Sequence, residues 1–274
     1  MWLWRKFHSL VDRYSCILYT SKMAQNIKNL WAEGFIPKTC LPKSQTVYWS
    51  GADSLENWRK NPKPQYTETS ITYSYNSYGF RTKEFDLKNG VDKILCFGCS
   101  HAEGVGLKQE DIWVSRILAN FPNYDVYNLG VGGASPDYVA RILTNTVGVF
   151  NPKHIFILWP SSSRFETYNS VKRMDDDPTP TLMNGPWNLQ EHNKCLADET
   201  HMYNNLQKNK LIVNLLQAKY QFKLHELEYD IDLTTMKFHQ LHQNSPARDN
   251  HHGPKQHQRI AELFMEKVNA STTL

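Results

Sequence analysis

The stretch KILCFGCSHAEGVGL, residues 93–107, decides the fold. Its apolar residues Ile94, Leu95, Cys96 and Phe97 are cut off by Gly98, and Ser100 stands two positions further on. A short apolar run ended by glycine reads as a strand buried on both faces. The same unit recurs downstream. Residues 126–129 form a second run, ended by Gly130 and followed by Gly132 and Gly133, and residues 155–159 form a third, ended by Pro160. Helical patterns follow each run, over residues 112–121, 137–150 and 206–220. Residues 222–227 read as a further strand. Residues 260–268 read as a closing helix, with Ile260, Leu263, Phe264 and Val268 on one face. Short strands alternating with helices predict an α/β fold, a three-layer α/β/α sandwich around a mostly parallel sheet with right-handed crossovers.

Upstream of this core the chain has a different character. Leu10, Val11, Tyr14, Ile17 and Leu18 recur at helical spacing, and Met23, Ile27, Leu30 and Trp31 extend the stripe up to Gly34. Residues 37–64 are rich in Pro, Ser, Asn and Lys and read as a connecting arm. Residues 67–75 are β-branched and aromatic and read as extended, and residues 76–79 as a turn. The expected division is an N-terminal helical and extended arm over residues 1–90 and an α/β domain over residues 91–274. Residues 164–200 form a long polar insertion within that domain.

Composition narrows the function classes. With 274 residues and 40% hydrophobic side chains the chain is long enough for a sizeable core. A formal net charge of only +4, with no basic run, argues against a nucleic-acid partner. The 5 cysteines are odd in number and irregularly spaced, which argues against a disulfide framework and favours a reducing compartment. The N-terminal apolar residues are interrupted by Arg5, Lys6, Asp12 and Arg13. They fall short of the ~20 residues of a membrane span and of a signal-peptide core. The expectation is a cytoplasmic chain without membrane insertion.

In a parallel sheet, ligands sit beyond the carboxyl ends of the strands. That rule selects the loops over residues 98–106, 130–137 and 160–166, with residues 245–254 before the last helix as a fourth. In the first loop Gly98 permits a tight turn with Ser100 at its apex. A helical turn starting there would aim backbone N–H groups outward, which suits an oxyanion beside the serine. The same pattern also serves as an ordinary serine helix cap. In the fourth loop Asp249 and His252 are three residues apart, close enough on a turn for the carboxylate to bond the imidazole and fix its tautomer. A polar cap on the last helix is the plainer use. The glycines of NLGVGGAS, residues 128–135, let backbone approach a ligand, although G-x-G-x-x-G and G-K-[ST] spacings are both absent.

Taken together and in this order, these segments resemble the blocks of SGNH (GDSL-like) hydrolases. FGCSHAEGVGL, residues 97–107, is similar to the first block and places the nucleophile on Ser100. NLGVGGAS is similar to the second block, whose oxyanion-donating glycine matches Gly133. RDNHHG, residues 248–253, is similar to the D-x-x-H block and carries Asp249 and His252 over. YSYNSYGFRTKEF, residues 73–85, resembles the N-x-x-G-F-R stretch that precedes the first block in many such chains. The resemblance spans about residues 73–268 and implies a flavodoxin-like sheet, a Ser-His-Asp mechanism on a small-molecule or glycan acyl ester, and no cofactor or metal. Two positions depart from the pattern. Cys99 stands where the family has Asp. After the third strand ILWPSSSRFE, residues 157–166, replaces G-x-N-D, leaving Ser161 as the nearest match to the oxyanion-binding Asn. Loss of one such donor typically costs about 2.7–4 kcal/mol of transition-state stabilisation.

Four other readings stand beside this one. A degenerate third block suits a non-catalytic carbohydrate- or protein-binding module on the same scaffold. An acyl transferase would use the same serine chemistry with a different acceptor. His239, His242, His251, His252 and His257 crowd the C-terminal segment and raise a metal site, although no cysteine lies nearby. Cys99 itself is a candidate thiol nucleophile.

Overall fold

The computed structural model describes residues 46–48, 55–60, 62, 66–88, 90–167, 181–183, 199–228 and 251–270. The expected helices over residues 10–31 lie outside them. In chain order the elements are β1 (Thr46–Tyr48), α1 (Leu55–Lys60), β2 (Thr72–Ser74), β3 (Lys93–Phe97), α2 (Ser100–Glu103), α3 (Trp113–Asn120), β4 (Asp125–Asn128), α4 (Pro136–Phe150), β5 (His154–Trp159), β6 (Phe165–Thr167), β7 (Thr181–Met183), α5 (Glu199–Tyr220), β8 (Lys223–Glu228) and α6 (Pro254–Ala270). A short 3₁₀ turn, Gln109–Asp111, precedes α3.

The central sheet has four strands in the order β4-β3-β5-β8, and every pairing in it is parallel. Strand β3 lies between β4 and β5 and is buried along its whole length, as its unbroken apolar run requires. Side chains alternate across the sheet. Leu95, Phe97, Tyr127, Ile155, Ile157 and Trp159 face one core with Val139, Leu143 and Val147 of α4 and Val213 of α5. Ile94, Cys96, Val126, Phe156 and Leu158 face the other with Trp113 and Ile117 of α3 and Ile260 and Phe264 of α6. The result is a three-layer α/β/α sandwich with a parallel sheet, as the periodicity predicts.

Local chemistry sets where the helices begin. In α4, Ser135 caps by accepting from the Tyr138 amide at 3.2 Å, Pro136 occupies the first turn, and Asn151 ends the helix in the left-handed conformation. In α6, Pro254 opens the helix and Gln256 Oε1 accepts from the Gly253 amide at 2.9 Å, one half of a capping box. This cap starts α6 six residues before the apolar stripe that signals it in the sequence.

The segment read as an arm contributes directly to this body. Residues 46–48 and 72–74 pair antiparallel as β1 and β2, and Ile71, Tyr73 and Tyr75 are buried with Val47, Leu55, Trp58 and Tyr66 packed against them. Phe80 enters the core beneath α4. Within the polar insertion, β6 and β7 pair as a short antiparallel ribbon.

At the amino end of the sheet His154 Nδ1 and His225 Nε2 lie 3.0 Å apart, both buried, with the His225 ring stacked on Phe156 at 4.6 Å. Burial lowers both imidazoles, with Lys223 opposing charge on each, and His225 falls to about 4. The folded state therefore binds fewer protons than the unfolded chain, whose histidines titrate near 6.5. This contribution is complete above pH ~6.5 and is lost as the pH falls toward 4. The melting temperature should drop across that window, and His225→Gln should flatten the drop when melting is followed by circular dichroism. An unchanged slope would assign the acid sensitivity to other groups.

Candidate active site

Strand β3 ends at Gly98, where an added Cβ would lie 2.8 Å from Ala102 Cβ and 2.9 Å from Leu158 O. The backbone there passes too close to β5 and to the following turn for any side chain. Cys99 is next, and its side chain packs in the core beneath α4. Ser100 is the first residue of α2. Its carbonyl accepts from the Gly104 amide at 2.8 Å and the Val105 amide at 3.0 Å, which closes the single helical turn. Gly104 sits at φ +80°, and a Cβ there would lie 2.0 Å from Ile112 Cγ2.

Arg81 secures this turn from below. Its guanidinium donates to the carbonyls of Glu103, Gly104, Thr72 and Leu107 at 3.1, 2.6, 2.7 and 2.7 Å. It also lies 4.0 Å over the Tyr73 ring. The Tyr73 hydroxyl accepts from the Gly106 amide at 2.6 Å. The G-F-R stretch thus ties β2 to the loop that carries the serine.

The second loop is fitted against the first. Asn128 Nδ2 donates to Ala102 O at 2.7 Å, and Asn128 Oδ1 accepts from the Gly130 amide at 3.0 Å. A Cβ on Gly130 would lie 2.4 Å from Ala102 Cβ, and one on Gly132 would lie 3.9 Å from Ser100 Cβ. Gly133 adopts φ +79° with open space where its Cβ would stand. The Glu103 carboxylate joins the two loops. Its Oε2 accepts from the Gly132 amide at 2.6 Å and its Oε1 from the Tyr75 hydroxyl at 2.9 Å. Burial raises the Glu103 carboxyl, while these two bonds and the nearby Arg81 and His251 pull it back down.

Histidines form the remaining wall. The His252 ring is buried and lies 4.3 Å from the ring of His101, the residue after Ser100, and His251 lies 5.2 Å from the same ring. Burial holds His101 well below its ordinary value, and His252, His251, His257 and Arg164 add to the effect. His257, also lowered well below by burial, accepts from the Trp113 amide through Nδ1 at 3.1 Å. That bond requires a bare Nδ1 and so fixes the neutral tautomer protonated on Nε2.

Ser100 opens α2, Gly133 lies in the loop between β4 and α4, and His252 lies just before α6, where it meets the residue next to Ser100. Ser100 Oγ is 3.9 Å from Cys99 Sγ, and no hydrogen bond joins it to His252 among the described residues. Asp249 lies outside the described residues. Ser161 Oγ is 3.0 Å from Ser163 Oγ in the turn after β5, and its carbonyl accepts from the Arg164 amide at 3.1 Å. That turn leads into β6, which is pinned to α4 by the buried Arg141–Glu166 ion pair at 2.6 Å. Among the described residues no group of His, Cys, Asp or Glu is arranged to bind a metal ion, and His239 and His242 lie outside them. Nor is any described helix long and apolar enough to cross a membrane.

No family profile matches the sequence, and no curated protein matches it. Solved structures do match. The psychrotrophic esterase EstA from Pseudoalteromonas sp. is 14% identical, with 67% of this chain and 100% of that chain covered and a TM-score of 0.36. A member of the lipolytic protein G-D-S-L family from Veillonella parvula is 16% identical, with 64% and 96% covered and a TM-score of 0.38. The lipase/acylhydrolase from Enterococcus faecalis is 14% identical, with 66% and 96% covered and a TM-score of 0.35.

Arg81, Glu103 and His101 are the site components that sequence reading did not single out. Each lies inside a quoted segment, but a charged residue in a loop carries no mark of being buried until its partners are placed. Replacing Arg81 by Met should show its weight, because it strips donors from four carbonyls, three of them buried. The unfolding free energy should fall by at least about 3 kcal/mol. Urea denaturation measures this, and a loss below about 1 kcal/mol would contradict the assigned role.

Proposed function

We propose that this protein is an SGNH-type serine hydrolase that cleaves an acyl ester of a small molecule or glycan. The observation that carries the reading is the convergence of the 99–104 turn, the 130–133 loop and His252 at the carboxyl end of β3.

In the proposed reaction Ser100 Oγ attacks the ester carbonyl while His252 removes the hydroxyl proton. The Ser100–carbonyl bond forms, and the carbonyl oxygen takes the negative charge. Amides of Ser100 and Gly133, with the Ser161 hydroxyl, are the donors assigned to that oxyanion. Collapse breaks the bond to the leaving alkoxide, which takes its proton from His252. Water then attacks the acyl-serine by the same route and releases the carboxylic acid. Asp249, three residues before His252, is assigned to orient the imidazole. The chemistry draws on no cofactor. The cycle requires Ser100 Oγ to turn from Cys99 toward His252 as substrate binds, since catalytic hydrogen bonds often tighten only in the complex. His252 must be neutral to accept a proton, and burial, with the neighbouring imidazoles adding to it, holds His101 and His257 well below their ordinary values.

A fluorophosphonate probe should label the wild type and leave Ser100→Ala unlabelled. Hydrolysis of p-nitrophenyl acetate should fall at least about 10³-fold in Ser100→Ala and in His252→Ala. Absence of labelling and of turnover on short and long acyl esters would overturn the reading in favour of a binding module on the same scaffold. That outcome is the one suggested by Ser161, whose hydroxyl is bonded to Ser163. Product analysis with water and sugar acceptors separates hydrolysis from acyl transfer.

A further inference from the structure

We infer that Glu103 is a positioning residue of the site, whose buried carboxylate locks the Gly132–Gly133 turn against the nucleophile turn so that the Gly133 amide faces the reacting carbonyl. The inference rests on the hydrolase reading for its catalytic consequence and on geometry alone for the positioning.

Glu103 is 5% exposed and lies three residues after Ser100 in the same helical turn. A carboxylate in that place demands donors, and it has one on each oxygen, the Gly132 amide at 2.6 Å and the Tyr75 hydroxyl at 2.9 Å. The first bond is charge-assisted and short. It holds the second loop at a point where a side chain would collide, since a Cβ on Gly132 would stand 2.9 Å from Glu103 Oε2. The amide of Gly132 is thereby committed to structure. The next amide, that of Gly133, makes no hydrogen bond among the described residues and belongs to a glycine with open space beside it. One carboxylate therefore sets which of two adjacent amides is available to an oxyanion. The second oxygen extends the constraint to Tyr75, just past β2, so the 71–75 segment also reaches the site.

A donor that acts on the developing oxyanion stabilises the transition state more than bound substrate. Glu103→Ala should therefore lower kcat by about 10²-fold while KM stays within about two-fold. Glu103→Gln keeps an oxygen for the Gly132 amide and should recover at least about ten-fold of that loss. Tyr75→Phe removes only the phenol donor and should fall between the two. Thermal melting confirms that each variant is folded. The Gly132 amide proton, read by nitrogen-edited NMR, should lie far downfield in the wild type and move upfield in Glu103→Ala. A folded Glu103→Ala with unchanged kcat, or an unmoved Gly132 resonance, would overturn the inference. If the wild type turns over no ester, the hydrolase reading fails. The Gly132 resonance, with hydrogen exchange at Gly133, then decides the positioning role by itself.

Discussion

A buried guanidinium holds the site together. Arg81 carries its charge into the interior, where it meets backbone carbonyl dipoles and the face of Tyr73. Burial weakens its hold on its proton, yet an arginine starts so high that it stays charged. Its planar fork suits the task better than an ammonium would, because donors spread in a plane can reach carbonyls from separate strands and turns at once. The turn bearing Ser100 ends at two of those carbonyls and returns past a third. A four-residue helix has too few internal hydrogen bonds to persist alone. Its geometry is imposed from below by a residue that arrives from outside the repeating α/β pattern.

Above that base the ionisable groups are arranged with opposite requirements. Glu103 is kept inside by two donors, whereas burial first and neighbouring imidazoles second hold His101 and His257 well below their ordinary values. His257 shows the pattern in full. Its Nδ1 is occupied by the Trp113 amide, so its ring serves to join α6 to α3. His252, five residues earlier, lies tilted against His101 just before the same helix. A single helix start thus supplies one histidine to the packing and another to the site.

The sandwich was legible because β3 and β5 carry unbroken apolar runs that glycine or proline ends. The run over residues 94–97 signalled burial on both faces, and packing then divides it, with Leu95 and Phe97 on one side and Ile94 and Cys96 on the other. The start of α6 was not legible, since Gly253, Pro254 and Gln256 act through a cap rather than through an apolar stripe. Nor was strand β1, where three residues gain their identity only by pairing with β2. The loops that carry Ser100 and His252 were picked out by the ends of elements, whereas Gly133 was singled out only through the resemblance to the second block. The roles of Arg81 and Glu103 did not follow, because both depend on contacts between segments more than twenty residues apart. Ser161 shows the reverse case, a residue chosen by position whose hydroxyl is turned toward its own neighbour.

The sheet has one more effect, on its two described thiols. Cys96 points into the core beneath α3 and α6, and Cys99 into the core beneath α4, so β3 itself stands between the sulfurs. Burial also pushes the Cys96 thiol well up, away from the thiolate that exchange chemistry needs. Although Cys96 and Cys99 are spaced C-x-x-C, they form no redox couple here. Oxidants would find the two sulfurs screened from each other for as long as β3 keeps both of its neighbours.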